Sequence, residues 1–165
     1  FAAAYGALDL NLPLGTTGGF RLNGFVEHLD NHRDAFDGER WAVNPVVGAE
    51  VAPGISLQLG YEYVHDERVI DRGVPAAFAG TLANPAGPVR GFRDTFFGDE
   101  DVNRTDFEAH VVSFRGRAEL GGGLTLSTQA LYGDYDKVYT NIFPATAVRT
   151  ATSGPLAGQQ VIGIE

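Results

Sequence analysis

In Ile55-Ser56-Leu57-Gln58-Leu59-Gly60-Tyr61-Glu62-Tyr63-Val64-His65 the apolar residues Ile55, Leu57, Leu59, Tyr61 and Tyr63 take alternate positions, and Ser56, Gln58, Gly60 and Glu62 stand between them. Side chains of a β-strand point to opposite faces with a period of two, so this segment offers one face to hydrocarbon and the other to water. The same alternation recurs in both directions. Leu124, Leu126, Thr128, Ala130 and Tyr132 oppose Thr125, Ser127, Gln129 and Gly133; Leu8, Leu10 and Leu12 oppose Ala7, Asp9 and Asn11; Phe20, Leu22, Gly24 and Val26 oppose Arg21, Asn23 and Glu27.

Between Trp41 and Val51 the apolar set is Trp41, Val43, Pro45, Val47, Ala49 and Val51, with Asn44, Gly48 and Glu50 opposite. Pro45 lacks a ladder donor, which predicts strain or a bulge there. From Phe107 to Leu120 the apolar parity changes: Phe107, Ala109 and Val111 follow one phase, and Val112, Phe114, Ala118 and Leu120 the other. A bulge near Val111 or Val112 would restore a single apolar face. Gly116 and the three glycines after Leu120 count against a helix in this stretch.

Closures between these segments alternate in length. Tight ones run Pro13 to Gly19, Ala52 to Gly54 and Gly121 to Gly123; long ones run Asp30 to Arg40, Asp66 to Arg104 and Thr140 to Gly158. Segments of about ten residues, closed alternately by short turns and long loops, are the pattern of a transmembrane β-barrel wall. A soluble β-sandwich binding module would show the same alternation, so the position of the aromatics matters. Trp41, Tyr61, Tyr63 and Tyr132 fall toward the long-loop end and Phe20 at the short-turn end, as in the aromatic girdles that a bilayer selects. The fold class expected is therefore all-β, an antiparallel up-and-down meander forming part of a transmembrane β-barrel. Six strands are clear and Val161 to Glu165 is a candidate seventh. Barrels of this class close from eight strands upward, so residues 1 to 165 read as a partial barrel.

Composition narrows the function. Twenty-two glycines with one Trp and no Cys or Met suit hairpins and exclude a disulfide framework or Cys-ligated zinc. A net charge of −9 lacks the basic stripe that nucleic acid requires. No run reaches the roughly 18 apolar residues of a membrane-spanning helix, and Phe1-Ala2-Ala3-Ala4 lacks the basic start of a signal peptide. Asp99, Asp101 and Asn103 match the opening of a calcium loop, but Arg104 stands where glycine is needed and His110 where a bidentate Glu belongs. His28 and His32 have helical metal-pair spacing on what reads as a strand end, so no metal site is expected. No nucleophile elbow, phosphate loop or dinucleotide fingerprint occurs, and no catalytic residue is expected.

Asp71-Arg72-Gly73-Val74-Pro75, Phe97-Gly98-Asp99 and the run from Tyr132 to Pro144, Tyr-Gly-Asp-Tyr-Asp-Lys-Val-Tyr-Thr-Asn-Ile-Phe-Pro, resemble TonB-dependent siderophore receptors, the ferrichrome-type branch in particular. Leu8-Asp9-Leu10-Asn11, Arg21-Leu22-Asn23-Gly24, His32-Arg33-Asp34 and Asn44-Pro45 agree in order and spacing. Glu100 departs from the family, which usually carries Pro there. The resemblance implies a larger barrel of the Gram-negative outer membrane, with a plug domain and further strands absent from these residues. It also implies active uptake of a ferric siderophore, contact with outer-membrane lipid, and energy from an inner-membrane TonB complex reached through a missing N-terminal part. Iron would arrive carried by the siderophore, so no protein cofactor is expected. A passive porin-like channel is the alternative within the membrane class.

A siderophore saturates its own iron, so the receptor must grip an organic shell by stacking and hydrogen bonding, for which aromatics and arginines are suited. The candidate ligand residues are Tyr135, Tyr139 and Phe143, placed beyond the last clear strand, with Arg72, Arg90, Phe92 and Arg93 from the long loop. Asp9, Asn11, Arg21, Asn23, Glu27, Asn44, Glu50 and Gln58 would face the plug. Gly73 is expected to supply a turn, and Val74 before Pro75 an extended residue. Because that loop mixes five arginines, Arg68, Arg72, Arg90, Arg93 and Arg104, with seven carboxylates, a neutral or hydroxamate-type chelate is expected over a strongly anionic one.

Overall fold

The computed structural model describes residues 3–164; Glu165, named above in the candidate seventh strand, lies outside the described residues. Six strands form one antiparallel sheet in chain order: β1 (Ala4–Leu14), β2 (Gly18–Asp30), β3 (Asp37–Ala52), β4 (Ile55–Val69), β5 (Arg104–Gly121) and β6 (Leu124–Thr140). Two two-residue strands, β7 (Arg149–Thr150) and β8 (Gln160–Val161), pair with each other within the segment after β6. Val161 thus belongs to a loop hairpin and does not begin a seventh wall strand. The tight closures stand where alternation placed them. Gly122 (φ 60°) and Gly123 (φ 81°) occupy the left-handed region that a two-residue hairpin demands.

Register decides the faces, because directly paired residues of antiparallel strands point the same way. One row runs Leu12, Phe20, Val47, Leu59, Phe114, Ala130 across all six strands. Its counterpart on the opposite face runs Asp9, Asn23, Asn44 from β1 to β3. Among the described residues no second layer covers the apolar side. Leu57, Leu59 and Leu126 are 39%, 51% and 56% exposed, and the buried hydrophobic side chains among the described residues are Val69 and Ala109. A soluble sandwich would bury those leucines against another sheet, and among the described residues none does so.

The apolar face ends at a definite line. Its first carboxylate or imidazole side chain is His28 on β2, Glu39 on β3, His65 on β4, His110 on β5 and Asp134 on β6. His28 pairs with Glu39 and Glu39 with Glu67, while His110 pairs with Tyr63 and Asp134 with His110, so the line drops four positions across four strand steps. At about 3.4 Å per residue and about 4.8 Å per strand this corresponds to a tilt of about 35°, within the range of membrane barrels. Along the line the aromatics interlock: Tyr63 lies 4.7 Å from Trp41 and 4.8 Å from His110, centroid to centroid. The Tyr63 hydroxyl donates to Glu108 at 2.8 Å, and the Tyr61 hydroxyl lies 2.7 Å from His110 Nδ1.

The strands continue past this girdle. β4, β5 and β6 have 15, 18 and 17 residues, against about 9–11 for a span, and Tyr61 and Tyr63 therefore stand mid-strand. This explains Phe107, Ala109 and Val111. The expected bulge at Val111 or Val112 is absent, because β5 keeps unbroken register there with both neighbours. Beyond the girdle the outward positions of β5 carry Asp106, Glu108 and His110, and the apolar residues lie on the other face.

Pro45 likewise produces no bulge. Pairing of β3 with β4 lapses between Val43↔Tyr63 and Val46↔Gly60 and resumes in the same register. The Asn44 side-chain amide donates to the Tyr61 carbonyl at 3.0 Å, replacing the N–H that proline cannot offer. The observed bulge lies at the turn end of β3, between Glu50 and Ala52.

Candidate functional site

At the long-loop end, the predicted Asp30 to Arg40 loop shrinks to residues 31–36, because β2 and β3 extend toward each other. Within it the Arg33 backbone N–H donates to Asn31 Oδ1 at 2.7 Å, and its guanidinium points into the neighbouring loop, residues 70–103. Arg33 Nε meets Asp71 Oδ2 at 2.5 Å and Nη2 meets Oδ1 at 3.1 Å, a bidentate pair, while Nη1 donates to the Arg93 carbonyl at 3.0 Å. The Arg33 and Asp71 side chains are 7% and 10% exposed. Asp71 Oδ1 also accepts the Gly73 N–H at 2.8 Å, and Gly73 takes the expected turn conformation, φ 86°. The Asp34 N–H donates to the Asp94 carbonyl at 2.7 Å.

A second joint is built on Asn103, which is 1% exposed. Its amide nitrogen donates to the carbonyls of Ile70 at 3.1 Å and Ile142 at 2.8 Å, and its Oδ1 accepts the Ile142 N–H at 2.8 Å and the Asp99 N–H at 3.3 Å. Gly98 explains the neighbouring motif, because a Cβ there would collide with the Asn103 amide and the Phe96 ring. The residue that sequence analysis examined as a calcium ligand is a hydrogen-bonded clamp.

These joints bring His32-Arg33-Asp34, Asp71 to Pro75, Phe97 to Asp99 and Asn141 to Pro144 into one region. Arg72, Arg90 and Arg93 line a cleft of about 940 Å³ together with Asn31, His32, Arg33 and Asp71, the last held by Arg33. Among the described residues no carboxylate lies within ion-pair distance of Arg72, Arg90 or Arg93. Asp66 pairs with Arg68, Glu67 with Arg104 and Asp71 with Arg33. The charge count of the whole loop therefore misdescribes this cleft, because three of its carboxylates are already engaged. Arg72 stacks on Phe143 with its guanidinium carbon 4.4 Å from the ring centroid, a cation–π contact.

The other predicted ligand residues are placed differently. Tyr135 and Tyr139 lie inside β6, not beyond it, because the strand runs on to Thr140. Tyr135 pairs with Ala109 and Tyr139 with Thr105, which puts both rings on the polar face. They are 60% and 46% exposed, and Lys137 Nζ lies 5.8 Å from the Tyr139 ring centroid. Phe92 packs edge-on against Phe97 at 5.8 Å and does not line the cleft. Asp9, Asn11, Arg21, Asn23, Glu27, Asn44, Glu50 and Gln58 share the polar face. Several hold one another: Arg21 grips Asp9 at 3.0 and 2.7 Å, and Arg40 meets Glu27 at 2.5 Å.

Arg33 and Asn103 escaped the reading of the sequence as site residues. Their partners are a distant carboxylate and backbone groups, which leave no local pattern; the only signal was that both lie in or beside the segments with family resemblance.

No protein-family model matches the chain. It is 36% identical over 101 residues to the metal-pseudopaline receptor CntO of Pseudomonas aeruginosa, a match covering 60% of this chain and 13% of that protein. The open form of the ferric-catecholate import receptor Fiu from E. coli K12 superposes with a TM-score of 0.71 at 26% identity, over 89% of this chain and 23% of Fiu. The closed form of Fiu gives a TM-score of 0.75 over 98% of this chain and 24% of Fiu, at 21% identity, a likeness of fold. The chain thus spans about an eighth of CntO and about a quarter of Fiu. These proteins are receptors and not enzymes. In its single-layer sheet, tilted apolar band and joined long loops the chain is similar to a segment of the β-barrel of such receptors.

Proposed function

We propose that the chain belongs to an outer-membrane receptor of a Gram-negative bacterium that actively imports a ferric siderophore. Lipid covers the face of Leu57, Leu59 and Leu126, and the polar face with Asp9, Asn11, Arg21, Asn23, Glu27, Asn44, Glu50 and Gln58 lines the lumen around a plug. Energy comes from the inner-membrane TonB complex through the plug-bearing part of the receptor. Iron is cargo, held by the chelator.

The single observation that carries the ligand reading is the cleft in which Arg72, Arg90 and Arg93 converge without carboxylate partners. Uncompensated guanidinium groups in a concave site attract anions and raise their rate of capture, and they can donate in parallel to paired oxygens. This favours an anionic ferric chelate, catecholate or carboxylate in its donor groups, over the neutral chelate suggested by the loop's composition. Fiu, a ferric-catecholate import receptor to which the chain is similar, supports the direction. Tyr135, Tyr139 and Phe143 supply aromatic surface to the same ligand, with Phe92 bracing the loop.

Titration of the complete receptor with a ferric tris-catecholate and a ferric trihydroxamate tests this. The tris-catecholate should bind more tightly, weaken as salt is raised, and lose about tenfold in affinity for each of Arg72→Ala, Arg90→Ala and Arg93→Ala, as expected for a lost charge-assisted hydrogen bond. Binding confined to the trihydroxamate, or arginine variants that match the wild type, would overturn the assignment.

A further inference from the structure

We propose that Asn103 is a positioning residue that sets Arg72 against Phe143 and so fixes one wall of the ligand cleft, an inference that rests on reading that cleft as the siderophore site. Every polar atom of Asn103 is engaged. Its backbone N–H donates to the Asp99 carbonyl at 2.7 Å and its carbonyl accepts the Ile70 N–H at 2.7 Å. Its side chain donates to the Ile70 and Ile142 carbonyls and accepts from Ile142 and Asp99.

Toward Ile142 the carboxamide behaves as a peptide group would in a β-ladder, accepting the residue's N–H and donating to its C=O. Ile142 is thereby held as if a strand lay beside it, although β6 has ended at Thr140. Toward Ile70 it adds a bond to one made by its own backbone. The two clamped residues lie just before the stacked pair: Arg72 is two residues after Ile70, with Asp71 between them, and Phe143 follows Ile142. Two further bonds brace the same region, from the Thr140 hydroxyl to the Val102 carbonyl at 2.6 Å and from the Val148 N–H to the Ala76 carbonyl at 3.0 Å.

The clamp needs an amide in particular. Asn can donate two hydrogen bonds and accept two, whereas an aspartate of the same shape only accepts and an alanine does neither. Burial sharpens the requirement, because Asn103 is 1% exposed and water has no room beside its side chain to take over the lost bonds.

The test uses the complete receptor in detergent or bilayer, with a ferric tris-catecholate as probe. Asn103→Ala should weaken binding about tenfold, and Asn103→Asp should do so to the same degree despite its matching shape. Asn103→Ala with Arg72→Ala should bind no more weakly than Arg72→Ala alone, because the first change acts through the second residue. A residue that merely stabilised the fold would give losses that multiply, and that result would overturn the proposal. Hydrogen exchange in the absence of ligand supplies the second measurement. Asn103→Ala should speed exchange at Arg72 and Phe143 together and leave the middle of β5 and β6 unchanged, whereas Arg33→Ala should leave Phe143 alone. If the wild type binds no tris-catecholate, the uptake reading fails separately, and unchanged exchange at Arg72 and Phe143 would then overturn the positioning role.

Discussion

Leu59, midway along the wall, is 51% exposed, whereas Arg33, in a loop of residues 31–36, is 9% exposed. In a water-soluble protein these values would be reversed, with the apolar residue buried in the wall and the charged one turned outward. On the membrane reading proposed above, the wall carries its apolar side chains outward because the surrounding medium is itself apolar, and its strands hold one another through backbone ladders. The loop region can use neither device. It relies on a few buried polar side chains with several partners each, Arg33 with Asp71 and Asn103 with Ile70 and Ile142. A repeated weak element forms the wall and a few specific joints form the long-loop end.

If that contrast is right, the largest single loss comes from breaking a joint. Arg33→Ala leaves the Asp71 carboxylate buried without its partner, a change that costs about 3–5 kcal/mol when the site cannot relax. The loss should stay local: limited proteolysis should cut within residues 31–36 and 70–103 while the barrel's unfolding midpoint holds. A matching fall in the midpoint would show that loops and wall are one cooperative unit.

Next in size is a charge on the lipid side. Leu59→Arg in the complete receptor should destabilise folding into bilayers by about 2–4 kcal/mol, whereas Gln58→Arg, one residue away on the polar face, should cost little. Denaturant titration in lipid measures both, and equal costs would erase the distinction between faces.

The smallest effect belongs to Asn44. Asn44→Ala should cost about 1 kcal/mol by stranding the Tyr61 carbonyl. In a Pro45→Ala background, where the backbone N–H returns, the same change should cost much less. Equal costs in both backgrounds would show that Asn44 does not compensate for the proline.

The same contrast explains what the sequence revealed. Alternation in Ile55 to His65 and Leu124 to Gly133 gave strand and face together, and a slip of one residue would turn Leu57, Leu59 and Leu126 to the wrong side. It misled where the medium changes. Past the girdle, the outward positions of β5 become acidic and Phe107, Ala109 and Val111 lie inside, so a change of solvent resembled a bulge. Tyr135 and Tyr139 were read as loop for the same reason, because a strand that has left the bilayer loses its apolar phase. The cleft arginines were legible as residue types, but their lack of partners was not, since Asp71 is claimed by Arg33 from another loop. The role of Asn103 was not legible either, because its side chain bonds backbone atoms of Ile70 and Ile142, 33 and 39 residues away.

The identity of the medium against the leucine face is the claim on which the rest depends. Nitroxide labels placed one at a time at residues 57–60 and 126–129 of the complete receptor in a lipid bilayer would test it through collision with dissolved oxygen, which concentrates in hydrocarbon, and with a water-soluble nickel chelate. Labels at 57, 59 and 126 should collide with oxygen and escape the chelate, with the opposite response at 58 and 127. Loss of that alternation, with labels at 59 and 126 shielded from both reagents, would show that protein covers this face, and the membrane wall would have to be abandoned.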